Sequence, residues 1–520
     1  MPFGGCHRSC LRIDGRVAGC MLLRLLPRLA ALRGLRADLA ALGLGALAAA
    51  SLPPFHAIPV LLISVPGLLV LLDAASSPLV AARRGWWFGL GHHVLGLYWV
   101  TEAILFEAAR FWWLVPLAVP ALAAALALFI AAACFMARLT PSGWPRVLAL
   151  AGAWVLADLA RQFVLTGFPW NPWGSVWAIP GPIGDVFIQP AAWIGVHGLT
   201  LATLLLAALP VLGWRWRAAG TALFAAWGAL GLIRLQQTVP PQPLTVMLVQ
   251  GNVAQGQKWS QDLAVGIFRH YLALTSQAQA AGPAVVIWPE TSFPGLLDID
   301  EPARRAIEQA TRGAPALVGS VRFDARQRPR NSLFAVLDSG AIGGVYDKWH
   351  LVPFGEYVPD WLPLPIMVMP GNGFAPGLGP RTLHIPGLPP FGPLICYEAI
   401  FSGEIVDRSD RPAWLVNVTN DAWFGNSTGP RQHLAAARMR AVEEGLPLLR
   451  AANTGISAAF DARGHELGRI GMQTTDTLAV TLPGAMPETL FARLGLWLPA
   501  ISGSVALGAG LVARRIAPSG

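Results

Sequence analysis

Apolar runs of membrane-spanning length, or close to it, fill the first half of the chain, near residues 39–55, 56–73, 86–105, 112–137, 145–160, 190–212 and 216–233. An eighth follows near 492–512. The breaks between them are physical: Pro53-Pro54 stops the first, Arg83-Arg84 precedes the third, and Pro141-Ser142-Gly143 separates the fourth from the fifth. After Leu244 the pattern changes to short β-rich runs at 244–250, 284–288, 316–320, 332–337, 392–397, 413–419, 447–453 and 478–482. They alternate with helical stretches at 260–281, 301–312 and 429–445, which predicts an α/β domain with mostly buried strands. The expected fold class is therefore α/β plus membrane all-α. Eight transmembrane helices are expected, with the α/β domain inserted between spans seven and eight.

Composition sharpens this division. Of 520 residues, 54% are hydrophobic and 13% charged, which excludes one soluble globule. Residues 35–234 hold ten arginines, six acids and no lysine, whereas 240–490 read as ordinary folded protein. The expected domains are a basic extension at 1–34, a membrane domain at 35–234, an α/β domain at 240–487, and the last span with its tail at 488–520. The net charge of +9 does not point to nucleic acid, because the arginines cluster at the ends of apolar runs rather than along a basic stripe. Arg24, Arg28, Arg33 and Arg36, then Arg83 and Arg84, Arg138 and Arg146, Arg215 and Arg217, and Arg514 and Arg515 all fall on one side of the predicted spans. That side is the cytoplasm by the positive-inside rule, so the α/β domain is expected outside, in the periplasm of a Gram-negative bacterium. The Trp- and Pro-rich loop 161–189 shares that outer face. Its tryptophans read as an interfacial belt, with lipid entry as the second reading. Residues 1–34 lack a cleavable signal pattern, and Met21 is an alternative start. Cys6, Cys10, Cys20, Cys134 and Cys396 match no zinc spacing, and His384 and His433 stand far apart in sequence, so no metal and no cofactor are expected. Phosphate-cradling GxxxxGK[ST] and dinucleotide GxGxxG patterns are lacking too.

Three polar residues occupy places where an α/β domain puts chemistry. Glu290 follows the strand AVVIW, Lys348 sits in YDKWHLVPFGEYVP, and Cys396 ends the strand GPLIC. Each has a plainer reading: a first-turn glutamate favouring a helix dipole, a surface lysine, and an inert buried thiol. Two facts weigh against the plain readings. Cys396 is the only cysteine of an extracytoplasmic domain, where a free thiol is a liability. Lys348 is one of two lysines, with Lys258, against 36 arginines, so a compact ammonium is retained where a planar guanidinium would not serve. A carboxylate, an ammonium and a thiol together can perform acyl transfer.

In this arrangement the chain resembles the nitrilase superfamily, through Glu290 in WPE, Lys348 in the run to HLVPFGEYVP and Cys396 in CYE. Inside an eight-span topology, with QGN at 250–252, Lys258-Trp259, Asn331-Ser332 and NDAWFG at 420–425, it resembles the apolipoprotein N-acyltransferases over residues 35 to 512. The resemblance implies a nitrilase-like αββα sandwich and a ping-pong reaction in the bacterial inner membrane. Cys396 would take the sn-1 acyl chain of a phospholipid as a thioester, and the α-amine of a diacylglyceryl-cysteine apolipoprotein would remove it. It further implies Glu290 as general base, Lys348 as stabiliser of the tetrahedral intermediates, and Glu356 orienting the lysine and the substrate. Glu398 would support the Cys loop, and Asn331, Tyr397 and Trp423 would contact substrate or shape the pocket. The protein is expected to be a monomer, with a phospholipid donor and an apolipoprotein acceptor.

Other functions are a membrane-tethered amidase using the same residues, a non-catalytic lipid binder, and a transporter. The last would need ionisable residues deep in the spans, whereas Glu102, Glu107 and Asp158 lie at or near predicted ends. The Pro- and Gly-rich segment 353–393 has the composition of a lid, and shortening 361–379 tests it through turnover and lipid access.

Overall fold

A computed structural model describes residues 25–105, 108–258, 260–279, 282, 284–360 and 373–516. The expectations placed on Cys6, Cys10, Cys20, Met21, Arg24, Glu107, Trp259 and the centre of the lid segment, 361–372, lie outside the described residues, as do the side chains of Arg514 and Arg515.

The apolar half folds into helices α1 (Gly34–Ala49), α2 (Leu61–Asp73), α3 (Pro78–Gly96), α4 (Val115–Arg138), α5 (Trp144–Phe163), α6 (Ala191–Ala207) and α7 (Trp214–Leu235). Among the described residues, three stretches are long and apolar enough to cross a membrane: Ala108–Arg138, Ala191–Val211 and Trp214–Leu235. The expected spans at 56–73 and 492–512 appear as shorter apolar helices, Ile58–Asp73 and Trp497–Ala513. The helices at 34–49, 78–96 and 144–163 are less uniformly apolar, because they carry polar residues inside the bundle: Asp158 pairs with Arg161 at 3.1 Å, and Trp173 donates to His92 at 3.2 Å. Close helix approach makes this burial possible. A Cβ on Gly45 would lie 1.9 Å from the Phe88 carbonyl oxygen, so α1 and α3 meet backbone to backbone.

The polar half is a layered α/β domain. Its strands are β1 (Thr245–Gln250), β2 (Val285–Ile287), β3 (Ala316–Phe323), β4 (Pro329–Val336), β5 (Ile342–Asp347), β6 (Phe391–Ile395), β7 (Trp414–Thr419), β8 (Leu448–Ala452), β9 (Ser457–Phe460), β10 (Glu466–Ile470) and β11 (Asp476–Thr481). One sheet runs β11-β1-β2-β3-β4-β5 and the other β10-β9-β8-β7-β6. In the first sheet parallel β1-β2-β3 are flanked by antiparallel β11 on one side and β4-β5 on the other; in the second, β6-β7-β8 are parallel with β6 at one edge, and antiparallel β9 and β10 complete the other side. Parallel strands are covered on both faces, which is why these runs are continuously apolar. Val246, Leu248 and Ile287 pack against Ile395, Val416 and Leu449 of the other sheet. The alternate residues Met247, Val249 and Val286 face α8 (Gln261–Ala278) and α9 (Glu301–Thr311), while Leu394, Leu415 and Leu448 face α10 (Gly429–Glu444). The result is helix, sheet, sheet, helix. Each fully buried Leu, Val or Ile contributes about 1.5–3 kcal/mol.

In this domain the predicted strands and helices recur with ends moved by a few residues, whereas in the apolar half the run expected at 86–105 is divided between Pro78–Gly96 and a short helix Val100–Leu105. Three strands were not predicted, and each has a weak apolar signal: β5 is the Gly-containing IGGVYD, β9 is only four residues, and β10 (ELGRI) exposes Leu467 and Arg469 and buries only Ile470.

The two halves meet at one end of the bundle. The helix α6 is interrupted at Gly195, whose φ of 65° and contact with Phe491 exclude a side chain. The amide of Val196 freed by this break donates to Glu443 of α10 at 2.7 Å. Gln432, also on α10, accepts from Trp99 at 3.0 Å and Trp170 at 2.9 Å and donates to the carbonyls of Pro53 and Gly96. The last helix, α11 (Trp497–Ile516), returns beside α5, where a Cβ on Gly152 would meet the Gly503 oxygen at 2.4 Å.

Candidate active site

Glu290 stands just past the end of β2, Lys348 just past β5, and Cys396 just past β6, so three strand ends deliver three reactive groups to one place. The loop after β2 also carries Thr291 at a φ of 45°, and Cys396 itself has a φ of 51°. A left-handed backbone at a β-carbon-bearing residue costs on the order of 1–3 kcal/mol and persists only where surrounding contacts impose it. At Cys396 those contacts are clear. Ile395 donates its amide to Glu398 at 2.6 Å, and the Cys396 carbonyl oxygen lies 3.0 Å from Nε2 of His433.

The Glu290 carboxylate is fully engaged. Asn331 Nδ2 donates to Oε1 at 2.7 Å, the Asn420 amide donates to Oε2 at 2.7 Å, and Lys348 Nζ stands 3.4 Å from Oε1. Burial pushes the carboxyl up, but Lys348, Lys258 and the two hydrogen bonds outweigh it and hold Glu290 below its ordinary value. Lys348 is 1% exposed and lies 2.9 Å from the Glu356 carboxylate. Burial acts downward on its ammonium, and Glu356, Glu290 and Cys396 more than reverse this, so it stays charged. Glu356 also accepts from Asn331 at 3.2 Å and from the Val352 amide at 2.8 Å. Asn331 thus bridges the two glutamates, matching them with its single amide nitrogen.

Cys396 is 5% exposed, and burial followed by Glu290 raises its thiol above the usual range, against the opposing effects of Lys348 and a hydrogen bond with Thr419. The resting group is a thiol, and a base must take its proton before it can attack. The anionic carboxylate of Glu290 and the ammonium of Lys348 both act on it, one able to accept that proton and the other to stabilise the sulfur anion.

The supporting residues named from sequence separate into different roles. Glu398 lies on the Cys turn and not on the thiol, accepting from Ile395 N, Trp349 N at 2.7 Å and Tyr346 Oη at 3.0 Å; burial pushes its carboxyl up to about 7. The Tyr397 hydroxyl donates to the Gly167 carbonyl at 2.9 Å, reaching out of the α/β domain into the loop 164–172. Trp423 is half-buried on the turn after β7. Glu398→Ala strips an acceptor from four donors at once, the His350 amide being the fourth. It is expected to destabilise the fold by about 1–3 kcal/mol and to loosen the Cys turn. Thermal unfolding and the rate of Cys396 alkylation in the folded protein check this.

His433 is better supported than its sequence position suggests. Its Nδ1 lies 2.9 Å from Asp421 Oδ1, Asp421 Oδ2 accepts from Arg450 at 2.6 Å, and Thr419 donates to Asp421 at 2.9 Å. Burial and Arg450 depress the imidazole, while Arg450 and His433 hold Asp421 low against its burial. Ligating atoms of Cys396, Asp421 and His433 lie within 4.8 Å of one another, a grouping that the sequence spacing did not show. The Arg450 guanidinium already neutralises the Asp421 carboxylate, so this trio offers a cation little net negative charge. Its geometry suits a brace behind the Cys turn. Asp421 falls in NDAWFG, and His433 and Arg450 on α10 and β8 gave no local signal, since their pairing is tertiary.

A buried thiol beside an ionised glutamate and a charged lysine, on a two-sheet α/β domain seated on apolar helices, defines a membrane-anchored enzyme of the carbon–nitrogen hydrolase type. Family models agree in order along the chain: the apolipoprotein N-acyltransferase N-terminal domain matches residues 44–209 and carbon-nitrogen hydrolase matches 245–488. The apolipoprotein N-acyltransferase of Bradyrhizobium diazoefficiens is 40% identical, with 89% of this chain and 92% of that protein covered. That of Rhodopseudomonas palustris is 38% identical, covering 87% and 90%. Among solved structures, an amidase mutant of Nesterenkonia AN1 from the nitrilase superfamily has 18% identity and a TM-score of 0.37, covering 47% of this chain and 93% of its own. The chain belongs to the apolipoprotein N-acyltransferases. It is an acyltransferase and a membrane protein.

Proposed function

We propose that the chain moves the sn-1 acyl group of a phospholipid, through a thioester on Cys396, to the α-amine of an N-terminal diacylglyceryl-cysteine. Glu290 takes the thiol proton and the sulfur anion attacks the ester carbonyl. Lys348 faces the resulting oxyanion. Collapse breaks the ester C–O bond, and Glu290 returns the proton to the departing lysophospholipid oxygen. In the second half the acceptor amine, as its free base, attacks the thioester. Glu290 takes a proton from that nitrogen and passes it to the departing sulfur, leaving an amide and the starting thiol. No cofactor is called for by this sequence of proton transfers.

The single observation that carries this reading is the tie between the Cys turn and the membrane half. Tyr397, next to Cys396, donates to Gly167 in the loop that joins α5 to the following helical turns, and Phe168 and Trp170 of that loop pack in one cluster with Tyr397, Trp99 and Leu97. A thiol placed there meets substrates already anchored in one leaflet, which reduces the entropy lost on encounter. The site residues proposed are Glu290, Lys348 and Cys396, with Glu356, Asn331, Glu398, Tyr397 and Trp423 in support.

The proposed topology has eight spans in 35–234 and 488–520 around an α/β domain at 240–487, in the bacterial inner membrane with that domain periplasmic. Its support is a group of arginines at one end of the bundle, while Arg161 and Arg234 stand at the end that meets the domain. Arg83 pairs with Asp38 at 3.2 Å, Arg146 pairs with Asp73, and Arg138 donates to the Ala75 carbonyl, all at the end of the bundle away from the α/β domain. At the other end Gln162 of α5 donates to the Ser402 carbonyl of the domain. Basic ends resist translocation, so the arginine end belongs in the cytoplasm. Around the Cys turn, the flanks of the lid segment are anchored on the site: Phe374 donates to the Glu356 carbonyl and Gly377 to the Lys348 carbonyl, both at 2.8 Å.

The test is intact mass spectrometry of the full chain after incubation with phospholipid and no acceptor. The expected result is an adduct of one acyl chain that a diacylglyceryl-cysteine peptide discharges at least about a hundredfold faster than water does. Folded protein without an adduct, or an adduct that water releases as fast, would replace this reading with a membrane-tethered amidase or hydrolase.

A further inference from the structure

The chain contains only two lysines among its 38 basic side chains, and the fold buries both around one glutamate. Lys348 meets the Glu290 carboxylate. Lys258, at the end of the short helix Gln255–Lys258, is 3% exposed and donates from Nζ to the main-chain carbonyl of the same Glu290 at 2.7 Å. Surface charge elsewhere is left to arginine, so neither lysine serves solubility.

We propose that Lys258 is a positioning residue of this site: it fixes the Glu290 backbone and supplies, opposite Lys348, a second cation that keeps the Glu290 carboxylate ionised and eases formation of the Cys396 thiolate. The inference rests on the roles proposed above for Glu290 and Cys396.

Three observations carry it. The first is the contact itself, which joins the short helix after β1 to the loop after β2 and so sets where the Glu290 side chain starts. The second is charge. The groups that act electrostatically on Lys258 are Glu290, from the loop after β2, and Cys396, from the turn after β6; Lys348 and Glu356 complete the cluster through Glu290 and Asn331. An ammonium with those neighbours favours the anionic forms of both the base and the nucleophile. The third is the contrast between the two lysines. Lys348 is clamped between Glu290 and Glu356 and stays charged, whereas burial lowers Lys258 to about 8, with Glu290 and Cys396 acting only partly in return. Lys258 therefore loses its charge just above neutral pH, and the field it provides is lost with it. A lysine can do this and an arginine cannot.

The test uses the full chain in detergent or nanodiscs and follows only the acylation half-reaction by intact mass, so that the acceptor amine contributes no titration. Wild type is compared with Lys258→Arg and Lys258→Met over a range of pH, after thermal melting has established that each variant is folded. Wild-type acylation is expected to fall above about pH 8. In Lys258→Arg the fall is expected at least about one pH unit higher. Lys258→Met is expected to acylate about thirtyfold or more slowly at neutral pH, with half-saturating phospholipid changed less than about twofold and the acid limb moved upward. If methionine prevents folding, the arginine variant decides; if arginine does, the methionine variant decides. An alkaline limb in Lys258→Arg that coincides with wild type, or a folded Lys258→Met that acylates within about threefold of it, overturns the proposal. Failure of the underlying mechanism looks different: wild type itself then forms no adduct on Cys396.

Discussion

Cys396→Ala is expected to abolish the acyl adduct and to lower N-acyl transfer by at least about ten-thousandfold, while the protein remains folded. The side chain is small and buried at the end of β6, and its alanine replacement removes one sulfur without uncovering a charge. The Cys turn does not depend on that sulfur. Glu398 and His433 hold its main chain through Ile395 N and the Cys396 carbonyl, so the fold should lose little. Cys396→Ser separates nucleophilicity from shape. Serine keeps a hydroxyl that Thr419 can meet, but Glu290 sits below its ordinary value and is too weak a base for an alcohol. An oxygen ester formed there would also be a poor acyl donor to an amine, so serine is expected to be nearly as inactive as alanine. Intact mass after incubation with phospholipid checks both variants. An unchanged adduct in Cys396→Ala would place the acylated residue elsewhere.

Glu290→Gln is expected to slow both half-reactions by about 10³- to 10⁴-fold. The amide cannot take the thiol proton. It also reverses part of the hydrogen bonding, because Asn331 Nδ2, the Asn420 amide and the Lys348 ammonium all donate toward the carboxylate, and a glutamine offers one oxygen among these three donors. Its pH dependence carries a sign. Glu290 is held below its ordinary value, so the contribution its ionised form makes to stability and to acylation is present above the ordinary glutamate range and is lost as pH falls through its lowered folded value. Wild-type acylation should therefore persist to mildly acidic pH. Single-turnover acylation as a function of pH checks it, and an acid limb near neutrality would mean that another group is the base.

The reach of the sequence differed from element to element. The apolar runs and the change of pattern at Leu244 are properties of composition and period, and the helices and most strands follow them. The polar helices were harder: α5 carries Asp158 and Arg161, which only their mutual pairing makes tolerable inside a bundle. β5, β9 and β10 escaped because Gly-rich, short or half-exposed strands leave little periodic trace. At the site, Glu290 and Cys396 were legible because each follows or ends a strong apolar strand, and Lys348 because it is one of only two lysines in the chain. Glu356 and Glu398 were picked out by family resemblance, yet their partners came only from the fold. Lys258, Asn420, Asp421, His433 and Arg450 were seen without roles or not at all.

By itself, then, the amino-acid sequence determined that an apolar half of membrane-spanning helices carries an α/β domain, that a carboxylate and a thiol stand at its strand ends, and that a rare lysine accompanies them, because period, strand burial and residue chemistry are local. Only the tertiary structure decided which charges meet. Glu290 receives its amide from Asn420, 130 positions away, and its main-chain partner from Lys258, 32 positions away. The protonation of the thiol and the two lysines depends on burial and on neighbours assembled from separate strands, and neither exists until the sheets have packed.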